Sequence, residues 1–272
     1  MAAQRSIAPR PMTTSAIGTL LRDWRQRRRM SQLDLALEAE ISTRHLSFVE
    51  TGRAQPSRDM LLHLAQALDV PLRERNALLV AAGFAPSFEA RAFDAPDMVV
   101  ARQAVQRVLD GHEPYPALAV DRHWTLLAAN RAVMPLLAGV DPSLLGGAVN
   151  VLRLSLHPDG LAPRIANLPE WRAHLLHRLR QQIHASGDAT LGELYEELKA
   201  FPVAQHGPAP TVPPTTGIFV PMQLHTKDGL LSFFSTTTVF GTPVDVTLSE
   251  LALEAFYPAD EATGRIMRAM VS

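Results

Sequence analysis

Four groups of side chains have types and spacings that could do chemistry. Thr43, Arg44, His45, Ser47 and Phe48 fall in one short run around Leu46 and Val49. If the run is helical, the two aliphatic residues face inward and the other five face outward. Arg can pair bidentately with guanine, Thr and Ser bond to bases or phosphates, and Phe or a Thr methyl meets the methyl of thymine. His174, His177 and His184 would lie within about 80° of one another around a single helix axis. A metal site needs several ligands within about 2 Å of the ion. His184 would lie about 10 Å along the axis from His177, so the three read as a polar helix face. His157-Pro158-Asp159-Gly160 offers an imidazole beside a carboxylate. No nucleophile elbow or metal motif accompanies it, and turn and capping chemistry accounts for it. Asn150, Arg153 and His157 are set among Val149, Val151, Leu152, Leu154 and Leu156. They could hold a carboxylate head group or tie loops to a sheet. No catalytic residue, metal ligand or enzyme activity is expected.

The elements that must position the first group are legible. Ser31 is a good N-cap, and Gln32 opens a helix behind it. Leu33, Ala36 and Leu37 at helical spacing predict its buried face, with Ile41 packing at the corner. Ser42 caps a second helix, Thr43 to Glu50, and Gly52 stops it. Two short helices joined by a tight corner form a helix-turn-helix, whose second helix enters the major groove of DNA. A preceding helix, Ser15 to Arg29, buries Ile17, Leu20, Leu21 and Trp24. Its second half is crowded with Arg22, Arg25, Arg27, Arg28 and Arg29, which either contact phosphate or form a solvated face favoured by the helix dipole. Arg28 is taken as a phosphate contact. Ser57 caps a fourth helix running to Leu68, and Pro71 opens a fifth that ends at Gly83.

Ser31-Gln32, Leu35-Ala36, Ile41-Ser42, Glu50-Thr51-Gly52-Arg53, Pro56-Ser57 and Leu64-Ala65-Gln66-Ala67-Leu68 together resemble the Cro/C1-type, or Xre, repressor family. The resemblance implies that Gln32 contacts DNA at the start of its helix and that Thr43, Arg44, Ser47 and Phe48 face the groove. It places Arg53 in a loop where relatives touch the backbone. Many relatives carry a polar residue, often Gln, where this chain has Phe48.

At 272 residues the chain is long enough for two domains. Residues 1–91 carry 13 Arg against 9 acidic residues, whereas residues 92–272 carry 13 basic against 18 acidic ones. A basic front half suits a part that meets phosphate. There is no cysteine, which excludes disulfides, thiol catalysis and thiolate metal sites. No apolar run is long enough to span a membrane, and a cytoplasmic location is expected.

The chain is expected to divide into a flexible arm (1–14), a helix-turn-helix domain (15–83), a linker (84–96) and a second domain (97–272). In the second domain a helix, Asp97 to Asp110, should turn Val100, Ala104, Val105 and Val108 to one side. Strands Ala117 to Val120 and Trp124 to Ala129 follow, and Asn130 should cap a helix through Leu137. Helices Arg164 to Ala185 and Thr190 to Ala200 lead through a Pro-rich loop, Pro202 to Pro214, to a hairpin, Gly217 to Phe240. Its Asp228-Gly229 is a hairpin turn signal. Thr247 to Phe256 reads as a final helix. By pattern this is an α+β domain.

Glu113-Pro114-Tyr115-Pro116-Ala117, Asp121-Arg122, Asn130, Asn150-Val151-Leu152-Arg153, His157-Pro158, Asn167-Leu168 and Trp171-Arg172 resemble the ligand-binding domain of MmyB-like transcription regulators. Arg44-His45-Leu46-Ser47-Phe48 and Ala81-Ala82-Gly83-Phe84-Ala85-Pro86 are also typical of those proteins, so Phe48 is ordinary for this branch. The resemblance implies a PAS-like sheet with a mostly apolar pocket that accepts a fatty-acyl or similar small molecule. Trp124, Trp171, Met222 and Phe233 are candidates for core or pocket wall, and Asn150, Arg153, His157 and Arg172 candidate head-group ligands.

The expected fold is multidomain: an all-α, five-helix, lambda-repressor-like DNA-binding head followed by an α+β PAS-like domain. The expected partners are double-stranded operator DNA, a small apolar effector and a second copy of the chain, with the helix Asp97 to Asp110 as the candidate interface. No cofactor is expected beyond such a bound apolar ligand. The alternative is a DNA-binding protein whose second domain serves only dimerisation or partner recruitment.

Overall fold

The computed structural model describes residues 15–202 and 219–271. The expected arm, nearly all of the Pro-rich loop and the first residues of the expected hairpin lie outside them. The chain forms two compact units, Met1–Ala90 with Val244–Val246, and Arg91–Pro243 with Thr247–Ser272.

The first unit contains helices α1 (Ser15–Arg27), α2 (Gln32–Glu38), α3 (Thr43–Glu50), α4 (Arg58–Ala67) and α5 (Leu72–Ala81). The hydroxyls of Ser31, Ser42 and Ser57 accept from the backbone amides of Asp34, His45 and Met60, so each serine caps the helix behind it. Gly52 closes α3 with a φ of 72°, a conformation that costs glycine no Cβ clash. A Cβ on Gly18 would stand 2.5 Å from the Glu50 carbonyl oxygen, so this glycine lets α1 and α3 touch backbone to backbone. Leu21, Leu35, Leu46, Val49, Leu64 and Leu79 are wholly buried between the helices. Each contributes about 1.5–3 kcal/mol by leaving water. After α5, the Asn76 side chain accepts from the amides of Ser87 and Phe88 and donates to the Phe88 carbonyl.

Three expectations for this unit are corrected, the first being Leu20, expected on the buried side of α1 but 37 % exposed. α1 stops at Arg27, because Arg29 takes a left-handed φ of 56° and turns the chain. Leu33 and Leu37 are 56 and 70 % exposed, while Leu35, Ala36 and Ala39 carry the buried face of α2. A seven-residue helix with apolar residues on two sides does not reveal by spacing which side is covered.

The second unit opens with a 3-10 turn, Pro96–Met98, and helix α6 (Val99–Asp110). Strands β1 (Ala117–Val120) and β2 (Leu126–Ala129), helices α7 (Val151–Leu156), α8 (Leu168–Ser186) and α9 (Ala189–Ala200), and strands β3 (Met222–Thr226) and β4 (Gly229–Val239) follow. A short α10 (Val246–Ser249), strand β5 (Ala252–Pro258) and α11 (Glu261–Val271) complete the order. The antiparallel sheet runs β2-β1-β5-β4-β3. Alternation along β1 sends Ala117 and Ala119 toward Val105 and Leu109 of α6. It sends Leu118 and Val120 toward the main core, which holds Trp171, Leu175 and Leu179 of α8.

The final helix expected at Thr247 to Phe256 is largely absent. Only α10 is helical, and Ala252–Pro258 is the central strand, paired with β1 on one side and β4 on the other. Local propensity in Ala252-Leu253-Glu254-Ala255 favours a helix, but two ladders of sheet hydrogen bonds outweigh it. Asn130 does not cap a helix by its side chain. It accepts from the Ala117 amide and donates to the carbonyls of Leu109 and Tyr115, and the residues behind it form a 3-10 segment containing Pro135. Along α6, Val105 and Leu109 face the sheet, whereas Val100, Ala104 and Val108 are exposed.

Candidate DNA-reading face and ligand cavity

The outward side of α3 carries Thr43 and Arg44 exposed, with His45, Ser47 and Phe48 half-buried. The Arg44 guanidinium lies 5.4 Å from the centre of the Phe48 ring, one helical turn further on. Among the described residues this guanidinium makes no hydrogen bond, so its donors are uncommitted. Phe48 thus orders Arg44 as well as offering its own edge. Arg53 is exposed, and its amide donates to the Phe48 carbonyl at 2.8 Å.

Behind this face lies a buried charge network. Glu50 is 3 % exposed. Its carboxylate accepts from Arg25 Nε at 2.6 Å, Arg25 Nη2 at 2.8 Å and Gln32 Nε2 at 2.8 Å. Burial pushes the Glu50 carboxyl up. The hydrogen bonds from Arg25 and Gln32 and the charges of Arg25 and Arg22 outweigh it and hold the pKa below the ordinary glutamate value. Gln32 therefore stands at the start of α2 with one amide hydrogen already given to Glu50. Arg28 is also engaged: its Nε and Nη2 donate to the carbonyls of Leu68 and Asp69, at 2.8 and 2.6 Å. It braces the end of α4, with fewer donors left for a phosphate than its place in the Arg27 to Arg29 run suggests.

In the second unit a cavity of about 300 Å³ lies between the sheet and α7 and α8, at the small end of the range for ligand sites. Trp124, Trp171 and Met222 line it; Phe233, Asn150, Arg153, His157 and Arg172 do not. Phe233 is wholly buried in the core nearby. Asn150 caps α7, accepting from the Arg153 amide, and donates to the His123 carbonyl. Arg153 forms a two-pronged pair with Glu197 at 2.6 and 2.8 Å. That pairing holds the Glu197 carboxyl below its ordinary range. His157 Nδ1 accepts from the Asp159 amide, and its ring meets the edge of Phe201. Arg172 donates to the carbonyls of Leu198, Lys199 and Phe201. These four polar residues tie loops and helix ends together.

The cavity's polar atoms come from residues that sequence reasoning missed: Ser155, Arg178, Ser235 and Glu254. Arg178 and Glu254 lie 76 residues apart, and no local signal connects them. Trp124 is set by a tight turn. The Asp121 carboxylate accepts from the amides of His123 and Thr125, and Trp124 takes a φ of 67°, strained for a residue with a side chain. The turn sends the indole inward, where its N–H donates to Gln182 at 2.8 Å. Trp171 donates to the Ser155 hydroxyl and stacks on His174, whose pKa is lowered by burial and then by the charges of Arg178 and His177. His177 and His184 are exposed. Among the described residues no three His, Asp or Glu side chains converge on a metal position, and no helix is long and apolar enough to cross a membrane.

A capped helix pair presenting an exposed arginine, joined in one chain to a sheet-and-helix domain with an apolar cavity, defines a helix-turn-helix DNA-binding regulator with a ligand-binding domain. Residues 21–75 match the helix-turn-helix family, and residues 101–270 match the MmyB-like transcription regulator ligand binding domain. The chain belongs to the MmyB-like transcription regulators. It is similar to the restriction-modification controller protein C.AhdI from Aeromonas hydrophila, at 32% identity and a TM-score of 0.22, over 23% of this chain and 94% of that one. It is similar also to the clp gene regulator ClgR from Corynebacterium glutamicum, at 27% identity and a TM-score of 0.24, over 27% of this chain and 92% of that one. No curated protein matches it.

Proposed function

We propose that this protein is a ligand-responsive, sequence-specific regulator of transcription whose second domain binds a small apolar effector of the fatty-acyl kind. The observation that carries this reading is the cavity, about 300 Å³ and walled almost wholly by hydrocarbon side chains. An alkyl chain suits such walls, because each buried methylene contributes about 0.8 kcal/mol without a polar partner. Met134 and Leu145 belong to the wall and are themselves exposed, which gives the chain a way in from solvent. Gln32, Thr43, Arg44, His45, Ser47, Phe48 and Arg53 are the proposed contacts to operator DNA in the cytoplasm.

The proposal includes a symmetric homodimer. One short recognition helix reads few base pairs, and two heads on a near-palindrome multiply specificity. Val100 and Val108, 72 and 53 % exposed, flank the exposed Ala104 on α6. Two copies crossing antiparallel at Ala104 would cover these apolar side chains against each other. Sedimentation should give a dimer at micromolar concentration; a monomer both free and on DNA would refute it.

The effector reading is tested on the full chain with acyl compounds of increasing length. A compound at about a hundred times its Kd should stabilise the protein by about 2.7 kcal/mol and should also change operator affinity, since only differential binding to two states regulates. No thermal shift with any chain length would leave the dimerisation alternative standing.

A further inference from the structure

The cavity's polar end is a closed ion pair. Glu254 sits on β5, the middle strand, and is 3 % exposed. Arg178 reaches down from α8 and donates to both Glu254 oxygens, through Nη1 at 3.1 Å and through Nη2. Thr237, directly across the β4–β5 ladder from Glu254, accepts from Arg178 Nη2 at 2.6 Å and donates to Glu254 Oε1 at 2.8 Å. The guanidinium also lies 4.7 Å from the Trp124 ring centre. Carboxylate, hydroxyl and indole thus hold it in place, and its Nε–H has no partner among the described residues. Both members of the pair line the cavity, as do Ser155 and Ser235.

From this arrangement we infer that the cavity selects an alkyl-chain ligand with a neutral, hydrogen-bonding head group, such as a hydroxyl or an amide, over a free carboxylate. The inference rests on the effector reading above and adds the chemistry of the head. An anion site needs positive charge that nothing else has neutralised. Here the cavity's arginine already faces a carboxylate at hydrogen-bond distance, so the pair presents no net charge. A ligand carboxylate at Arg178 would stand beside Glu254 in surroundings of low dielectric, where like charges repel strongly. A hydroxyl or amide meets no such cost. It accepts from the free Arg178 Nε–H or a serine hydroxyl, and it donates to a remaining lone pair of Glu254. A buried pair is a poor source of stability compared with apolar side chains of the same volume. Its place in an otherwise apolar wall is accounted for by recognition.

The test measures binding of dodecanol, dodecanamide and dodecanoate to the full-length protein at neutral pH by calorimetry. The neutral probes should bind at least about tenfold more tightly than dodecanoate. Glu254→Gln keeps the side chain's size and leaves Arg178 uncompensated. It should invert the order, tightening dodecanoate by about tenfold or more. Dodecanoate binding best to the unaltered protein would overturn the inference while leaving the effector reading in place. If none of the three bound, the effector reading itself would fall and take the inference with it. The ranking on the unaltered protein decides the matter even if Glu254→Gln does not fold.

Discussion

Replacing Glu50 by alanine should destabilise the whole DNA-binding head rather than merely weaken a contact. The side chain is fully shielded from solvent, and its partner Arg25 keeps only 11 % of its side-chain surface exposed. Without the carboxylate, Arg25 retains the Met30 carbonyl as an acceptor, and its charge stays buried beside α3. Breaking a buried pair from one side costs about 3–5 kcal/mol, against a total of about 5–15 kcal/mol for a domain. At about 4–8 °C per kcal/mol for a domain of this size, the head's melting transition should fall by at least about 10 °C. Scanning calorimetry of the full chain would report it, with the second domain's transition as an internal reference. Replacing both partners, Arg25→Met with Glu50→Leu, should recover much of the loss, because no charge is then stranded. The pH dependence has a definite sign. The Glu50 pKa is lowered in the folded state, so its contribution is complete above the unfolded glutamate value of about 4.3. It is lost as pH falls through the lower folded value. A Glu50→Ala loss under about 1 kcal/mol, or no acid-side weakening, would refute the argument.

Arg44→Ala should cost about 1–3 kcal/mol on the operator and relax discrimination at one base pair; equal losses on operator and random DNA would make Arg44 a phosphate contact instead. Arg28→Ala should lower head stability by about 1–3 kcal/mol, through its bonds to Leu68 and Asp69. The salt dependence of DNA binding should stay unchanged in that variant, and a shallower slope would show that Arg28 also neutralises a phosphate. Arg153→Ala removes a half-exposed pair with Glu197, so stability should change by no more than about 1 kcal/mol. Acyl-probe binding should not change in that variant, and its loss would bring Arg153 back as a head-group ligand.

The head was legible from sequence because its signals are local. Ser31, Ser42 and Ser57 cap the helices that directly follow them, and Gly52 and Gly83 end helices by their own freedom at positive φ. These side chains act on backbone a few residues away, so the order of residues is enough. The hairpin around Asp228-Gly229 was readable for the same reason, although its two turn residues are Lys227 and Asp228 and Gly229 already pairs with Thr226. Tertiary structure alone decided the rest. Ala252–Pro258 became a strand because β1 and β4 stood on either side of it. Which side of α2 and of α6 is covered depended on what packed there: Leu33 and Leu37 look as apolar as Leu35, and Val100 and Val108 as apolar as Val105. The cavity's polar end shows the limit most sharply. Asn150, Arg153, His157 and Arg172 carried the motif, yet they are bound into loops and helix ends. Arg178, on a helix, and Glu254, on the central strand, meet only once α8 crosses the sheet. A side chain's chemistry is written in its type, but its partner is set by contacts between distant segments, and those exist only in the folded chain.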